Sequence, residues 1–299
     1  MDLSIITVSY NDKEQLSVTL DAVFASQTNY RYEMILVNNA SPDGSIDMVK
    51  EKYLGRPELA AKIKLIESKA NLGFGGGNNL GLKAAQGDYI LLLNSDTKVD
   101  PDNLQVMMDF MKSRPDVGAA TCKLVMSNGE IDRASRRSEP NLVRSFFRLF
   151  GLQSLFPKLF GGYNMLNSDP EKEGELEACT AAYMMISRKC YEAVGGFDER
   201  FFMYAEDLDL CRRIREAGFK IWWYPKTSCI HFRGQSSKKT PQKMLKAFHD
   251  ANWIYYKKWY SQKYWHLMDP FVYVANYGLY AWKLVLNFLR KEKYVSKQD

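Results

Sequence analysis

The chain has 299 residues, of which 46% are hydrophobic and 25% are charged, an ordinary composition for a globular protein. This length is sufficient for one large domain, or for one domain with an appendage. The five cysteines are odd in number and show no C-x-x-C spacing, which argues against a disulfide framework or a structural zinc site and favours a reducing compartment. No signal peptide precedes the first apolar run at Leu3, which predicts a cytoplasmic protein.

The formal net charge of +6 is concentrated towards the C-terminal end. Residues 233–299 hold 13 Lys and Arg against four acidic residues, a net charge of +9, whereas the other 232 residues carry −3. We therefore expect the basic charge to influence where the protein is located in the cell rather than the chemistry of its core.

Four short apolar runs alternate with amphipathic segments over the first hundred residues. The runs predict strands at residues 3–8, 34–37, 63–66 and 89–93. Strands that alternate with helices predict an α/β protein with a doubly wound, mostly parallel sheet flanked by helices.

Proline and glycine mark further boundaries along the chain. Asp100 and Pro101 have the residue types of an N-cap and first helical position, which predicts a helix starting there. A strand at residues 220–224 is predicted to end at Pro225, and the helix before it is predicted to stop at Gly218.

The C-terminal tail, residues 236–299, is predicted to be helical and separate from a catalytic domain at residues 1–235. Within residues 271–289 one helical face is apolar, and the other carries Tyr277, Lys283 and Asn287. These polar residues favour a helix lying on an anionic membrane surface over one that spans the bilayer. The alternative is that the apolar face packs against the catalytic domain.

Asp96 directly follows the apolar run at residues 89–93, with polar Asn94 and Ser95 between them. In an open α/β sheet, ligands bind outside the carboxyl ends of the strands. A carboxylate at that place with no cysteine nearby suits a hard divalent cation and the phosphates that it bridges. The alternative is that Asp96 and Asp100 are only turn and helix-capping residues.

A glycine cluster at residues 73–77 follows the third predicted strand. A dinucleotide-binding motif would follow the first strand and would need glycine where Asn78 stands, so that interpretation is disfavoured. Glycine at this density predicts a close approach of the backbone to another group, most simply the sugar or phosphate of a ligand.

Glu206, Asp207 and Asp209 stand at the start of a predicted helix, and His231 follows a strand. The positive end of a helix favours an ionised carboxylate, which suits a general base, although a solvated acidic helix start is the commoner case. His231 is a candidate metal ligand, with a purely structural histidine as the alternative.

Six short motifs occur in the order in which the inverting family 2 glycosyltransferases of the GT-A fold carry them. They are VSYN at residues 8–11, NNAS at 38–41, NLGF at 71–74, LNSD at 93–96, Glu206-Asp207, and H-x-x-G-x-S from His231 to Ser236. Residues 1 to about 236 resemble that family, and most closely its rhamnosyltransferase-like branch, which builds bacterial surface polysaccharides.

The resemblance implies a site for a nucleotide diphosphate sugar. Its binding residues would be Thr7, Ser9, Asn11, Asn38, Asn39, Asn71, Gly73, Asn78, Asn94, Ser95 and Asp96. Asp96 would hold Mg²⁺ or Mn²⁺ with His231 as a further ligand, and Asp207 would be the base, with Glu206 as the alternative.

Two departures from the family pattern bear on the donor. Asn38 stands where the family usually has Asp, and because an amide can both accept and donate, the donor base stays open. Asn94 replaces the first Asp of the D-x-D motif, which leaves Asp96 as the principal metal ligand.

The resemblance therefore implies transfer of a sugar, best rhamnose from dTDP-rhamnose, to a hydroxyl of a lipid-linked or growing glycan at the cytoplasmic face of the plasma membrane. The Arg- and Phe-rich segment 142–163 and the basic tail would hold such an acceptor near the lipid. A UDP-sugar donor, a nucleotidyltransferase and an inactive glycan-binding protein are the alternatives. No nucleic acid partner is expected, and a homodimer stays open.

Overall fold

A computed structural model of the protein describes residues 1–140, 163, 165, 168–232 and 241–289. The predicted acceptor-holding segment 142–163 lies outside these residues except for Tyr163, as do Gly234 and Ser236 of the His231 motif.

In the described part of the chain, nine strands form a single sheet. They are β1 (Leu3–Ser9), β2 (Tyr32–Asn38), β3 (Ile63–Glu67), β4 (Tyr89–Leu93), β5 (Thr97–Val99), β6 (Val117–Met126), β7 (Gly174–Leu176), β8 (Tyr183–Ser187) and β9 (Lys220–His231). The four strands predicted for the first hundred residues are confirmed as β1 to β4.

Helices connect and cover the strands. They are α1 (Lys13–Phe24), α2 (Ser45–Val49), α3 (Pro57–Ala60), α4 (Gly73–Ala84), α5 (Asn103–Ser113), α6 (Arg188–Val194), α7 (Glu206–Glu216), α8 (Pro241–Trp259) and α9 (Asp269–Leu289). A π-helical turn, Lys50–Leu54, follows α2, and a 3₁₀ turn, Gln262–Tyr264, precedes α9.

The strand order is β3-β2-β1-β4-β8-β6-β9-β5, with β7 paired to β9. From β3 to β4 every pair is parallel, as the alternation of strands and helices predicts. Beyond β4 the sheet becomes mixed, since β8 runs antiparallel to both of its neighbours. The carboxyl end of β4 therefore lies beside the start of β8. The residues that follow β4 lie where the strand pairing changes from parallel to antiparallel.

Both faces of the sheet are covered by apolar side chains. One core cluster includes Leu16 and Leu20 of α1 and Met107 of α5, and the other includes Leu82 of α4 and Ile214 of α7. Such continuous burial on both faces explains why β1, β2 and β4 read as nearly unbroken apolar runs.

Two predicted boundaries are wrong. Helix α5 begins at Asn103 rather than after Asp100, because the Asp100 carboxylate instead accepts hydrogen bonds from the Ser228 amide at 3.0 Å and from its hydroxyl at 2.5 Å. Strand β9 continues through Pro225 to His231, since its pairing with β6 skips the residues between Tyr224 and Ser228. An irregularity of this kind accommodates a proline, which cannot donate to the ladder.

The two tail helices differ in their surroundings. Helix α8 packs into the core cluster of α7 through Ala251 and Tyr255, and the Trp259 indole donates to Asp209 of α7 at 2.9 Å. Helix α9 packs mainly on α8. Among the described residues, no helix is long and apolar enough to cross a membrane.

Candidate active site

The turn after β4 is held from three neighbouring elements. The Asn94 amide donates to the Ala182 carbonyl at 2.9 Å, ahead of β8, and the Phe232 amide donates to the Asp96 carbonyl at 2.8 Å, after β9. From α1, the Thr19 hydroxyl contacts the Ser95 carbonyl at 2.8 Å and the Thr97 carbonyl at 2.7 Å. The backbone that carries the Asp96 carboxylate is therefore fixed before any ligand binds.

His231 links this turn to a second carboxylate. Its Nε2 lies 3.3 Å from Asp96 Oδ1, and its Nδ1 lies 2.8 Å from Oδ2 of Asp132, a fully buried residue. Burial disfavours the charged ring, but the hydrogen bonds to Asp132 and Asp96 outweigh it and raise the pKa of His231 to about 9. Asp132 thus fixes the orientation of the ring and directs Nε2 towards Asp96.

These residues fit a divalent cation. A metal-ligating histidine commonly binds a carboxylate through its other ring nitrogen, as His231 binds Asp132. Within the described part of the chain, no group of three or more His, Cys, Asp or Glu side chains is arranged to hold a metal. One carboxylate such as Asp96 is nevertheless sufficient for Mg²⁺, which takes its other oxygens from substrate phosphates and water. His231 would add Nε2 as a ligand once the ring releases its proton to the solvent.

Two buried oxygen atoms at strand ends have no hydrogen-bond partner among the described residues. They are Thr7 Oγ1 in β1 and Asn94 Oδ1 after β4. Because strands β1 and β4 are parallel neighbours, both atoms lie at the edge of the sheet where ligands bind. A buried polar atom without a partner is costly and is a natural contact for a ligand.

The other predicted nucleotide-binding residues near β1 are held in a hydrogen-bonded network. The hydroxyl groups of Ser9 and Ser95 both donate to the buried Asp12, the former at 2.6 Å. Asn11 has a φ of 61°, and its amide donates to the Ser41 hydroxyl at 2.7 Å. Asp12 therefore ties the end of β1 to the Asp96 turn.

After β2, the asparagine side chains organise turns. Asn38 Oδ1 accepts from the Ser41 amide at 2.9 Å. Asn39 Oδ1 accepts from the Leu72 amide at 2.9 Å, and its Nδ2 donates to the Gly73 carbonyl at 2.9 Å and to Asn71 Oδ1 at 3.2 Å. The structure thus brings Asn38, Asn39, Asn71 and Gly73 together after β2 and β3, and leaves their contact with a nucleotide a prediction.

The glycine cluster approaches other parts of the protein itself. A Cβ on Gly73, whose φ is +75°, would stand 2.1 Å from the Phe202 carbonyl oxygen, and one on Gly77 would stand 2.7 Å from Val8. The buried Asn78 side chain donates to the Phe74 carbonyl of the same helix at 2.9 Å. The close approach that the glycines predict is therefore between α4, β1 and the segment before α7.

Helix α7 presents Glu206 and Asp207 from an unusual backbone. The two residues before it, Tyr204 and Ala205, have φ values of 73° and 62°. Positive φ is uncommon for residues other than glycine, and consecutive examples cluster at functional sites. The turn places both carboxylates in the first helical turn, buried, with the Asp207 carboxylate 2.6 Å from the Arg137 guanidinium.

The two carboxylates have opposite surroundings. Burial and the neighbouring Asp207 charge raise the pKa of Glu206 to about 8, and its buried Oε2 has no hydrogen-bond partner among the described residues. Asp207 accepts from Arg137 and from the Leu208 amide at 2.7 Å. Glu206 is therefore mostly protonated at neutral pH, whereas Asp207 sits beside a buried cation.

The segment 179–182 joins the two ends of the site. Arg137 donates to the Cys179 carbonyl at 2.9 Å as well as to Asp207, and the Ala182 carbonyl accepts from Asn94. Asp96 and His231 at one end and Glu206 and Asp207 at the other thus flank one short stretch of chain.

Three residues of this site were missed as individual residues by the sequence reasoning. No local signal predicts the contacts of Asp132 with His231 and of Asp12 with Ser95, which span 99 and 83 residues of chain. Arg137 precedes the Arg- and Phe-rich segment 142–163, and nothing in the sequence pairs it with Asp207.

Comparison with known proteins identifies the family to which the chain belongs. A family model described as glycosyl transferase family 2 matches residues 4–192, and one described as the N-terminal domain of galactosyltransferase matches residues 166–235. The N-acetylglucosaminyl-diphospho-decaprenol L-rhamnosyltransferase of Mycobacterium tuberculosis is 26% identical over 266 residues, which cover 85% of this chain and 83% of the relative. The rhamnosyltransferase WbbL of Escherichia coli K12 is 24% identical over 282 residues, covering 91% and 92%.

Solved structures agree on the fold. The mannosyltransferase PcManGT from Pyrobaculum calidifontis, in complex with GDP-Man and Mn²⁺, is similar with a TM-score of 0.57 at 18% identity, covering 95% of this chain and 75% of that one. The GT-A fold and the resemblance to the rhamnosyltransferase-like branch are confirmed. The chain is a glycosyltransferase and belongs to glycosyltransferase family 2.

Proposed function

We propose that the protein is a metal-dependent inverting glycosyltransferase that transfers rhamnose from dTDP-rhamnose to a hydroxyl group of a lipid-linked or growing glycan. The observation that carries this proposal is the pairing of Asp96 with His231 at one end of segment 179–182 and of Asp207 with Arg137 at the other. A phosphate-side cation site and a general base, placed at the two ends of one short segment, are the parts that a direct displacement needs.

Asp207 is the general base in this mechanism. It removes the proton of the acceptor hydroxyl as the oxygen attacks the anomeric carbon, so one displacement inverts the configuration. Arg137 and the N-terminus of α7 stabilise the carboxylate before the proton arrives. Glu206, largely protonated at neutral pH, instead keeps negative charge low beside the base.

Asp96 and His231 are the residues that would hold Mg²⁺ or Mn²⁺, with Asp132 orienting His231. When bound, the cation supplies charge neutralisation for the departing nucleoside diphosphate. The name of the Mycobacterium tuberculosis relative, an N-acetylglucosaminyl-diphospho-decaprenol L-rhamnosyltransferase, supports rhamnose as the sugar and a lipid-linked acceptor. The solved mannosyltransferase structure, which holds GDP-Man and Mn²⁺, supports a nucleotide diphosphate sugar as the donor and a divalent cation. The buried free thiols suit the reducing cytoplasmic face of the plasma membrane.

A thermal-shift panel tests the donor and the metal together. The full chain is heated with dTDP, UDP, GDP and their sugars, each with and without Mn²⁺. A ligand at a hundredfold excess over its Kd stabilises the folded state by about 2.7 kcal/mol, so dTDP compounds with Mn²⁺ should give the largest shift. A larger shift with UDP compounds would reassign the donor, and shifts unchanged by Mn²⁺ would contradict metal dependence.

A further inference from the structure

Helix α9 has its amphipathic faces reversed relative to a helix that packs in a core. Its apolar side is exposed along the whole length, with Phe271 70%, Trp282 58% and Phe288 84% exposed. The members of this exposed row are Phe271, Val274, Ala275, Gly278, Ala281, Trp282, Val285, Phe288 and Leu289. A row of this length, at 1.5 Å per residue, extends about 27 Å and contains no polar side chain.

The polar side of α9 faces α8. The Asn276 Oδ1 accepts from His249 Nδ1 at 2.9 Å, its Nδ2 donates to the His249 carbonyl at 2.8 Å, and Tyr277 donates to Asp250 at 3.0 Å. Both charged residues of α9 are also held there, because Asp269 pairs with Lys257 at 2.6 Å and Lys283 lies over the Phe248 ring. Specific polar contacts thus fix the helix with its apolar row outward, so this row does not pack against the described part of the catalytic domain.

We infer that α9 lies flat in the surface of an anionic lipid bilayer, with its exposed row inserted among the acyl chains. Exposed apolar surface of this extent marks a protein or membrane contact. The tail carries a net charge of +9 over residues 233–299, which attracts anionic lipids and repels a second copy of the same tail. An in-plane amphipathic helix with basic surroundings is the form that such association takes.

The inference connects to catalysis through a short chain of contacts. Lys283 of α9 lies over Phe248 of α8, and the Phe248 ring packs edge-on against Tyr204 at 5.8 Å. Tyr204 is one of the two left-handed residues that precede Glu206 and Asp207. The polar side of α9 is therefore linked through α8 to the turn that carries Glu206 and Asp207, and the meaning of this link for catalysis rests on the proposed function.

Vesicle flotation of the full chain tests the helix itself. We expect binding to vesicles with 30% phosphatidylglycerol and at least tenfold weaker binding to pure phosphatidylcholine, because the basic tail is attracted to anionic lipid. The double variant Trp282→Glu/Phe288→Glu should lose at least tenfold in binding to the anionic vesicles. The matched control is Val18→Glu, an exposed apolar position on α1, which should bind like the unmodified chain.

Two further measurements distinguish insertion of the exposed row into a bilayer from self-association through the same row. Brominated lipids should quench tryptophan emission in the unmodified chain and much less in Trp282→Phe, if Trp282 enters the bilayer. Unchanged flotation of the double variant would overturn the inference. So would a dimer in light scattering that the double variant converts to a monomer while vesicles bind neither protein. Because flotation needs no sugar transfer, an inactive donor assay leaves this test intact and counts only against the proposed function.

Discussion

Replacement of Glu206 by glutamine tests the electrostatics of the site through protein stability. The folded pKa of Glu206, about 8, lies above its ordinary value of 4.5, so the folded chain keeps a proton that the unfolded chain releases. The contribution of Glu206 to the free energy of unfolding is therefore fully present below pH 4.5 and is lost as the pH rises towards 8. The loss is at most about 1.4 kcal/mol per pH unit. Between pH 5 and pH 8 the loss amounts to roughly 3 kcal/mol.

The Glu206→Gln variant removes this titration while keeping the shape of the protonated acid. Urea unfolding of both proteins at pH 5 and pH 8 should give similar free energies of unfolding at pH 5 and a variant more stable by roughly 3 kcal/mol at pH 8. Glu192→Gln, at an exposed carboxyl of α6, is the matched control and should show no such divergence. Parallel stability curves for Glu206→Gln and the unmodified protein would refute the protonated state.

Three other predictions concern packing, the ion pair and the metal. Gly81→Ala places a Cβ 2.4 Å from Ile6 Cγ2 and should lower the free energy of unfolding, measured by urea melts, by about 1–3 kcal/mol. The control is Gly174→Ala, whose Cβ would have nothing within 4 Å and should leave the free energy of unfolding nearly unchanged. Arg137→Met leaves the buried Asp207 charge unpaired and should cost about 3–5 kcal/mol; if adding Asp207→Asn recovers none of that loss, the pair is not the cause. Chelation with EDTA should abolish nucleoside diphosphate release and Mn²⁺ should restore it, while full activity in EDTA would exclude a required cation.

The parallel half of the fold could be predicted because its signals are local. Leu3 to Val8 and Tyr89 to Leu93 are mostly apolar, so the sequence pattern of each run predicts both a strand and its burial on two faces. The continuation of β9 through Pro225 could not be predicted, since it depends on a pairing irregularity opposite Cys122 and Lys123. The orientation of α9 was likewise set by distant partners such as His249.

The candidate site divides in the same way. Asp96, Asp207 and His231 stand beside strand ends and helix starts, where composition and motif order mark them. Asp132 contacts His231 across 99 residues of chain and Arg137 contacts Asp207 across 70, and no local pattern encodes either contact. Sequence reasoning therefore predicts the groups that we propose to react and misses the residues that contact and orient them.

The rate of nucleoside diphosphate release by Asp207→Asn, measured with donor, Mn²⁺ and a lipid-linked acceptor, tests the central claim most directly. Loss of a positioned general base lowers kcat by about 10²–10⁴-fold, and donor affinity by thermal shift should stay unchanged. Turnover within threefold of the unmodified enzyme would contradict the assignment of Asp207 as the base.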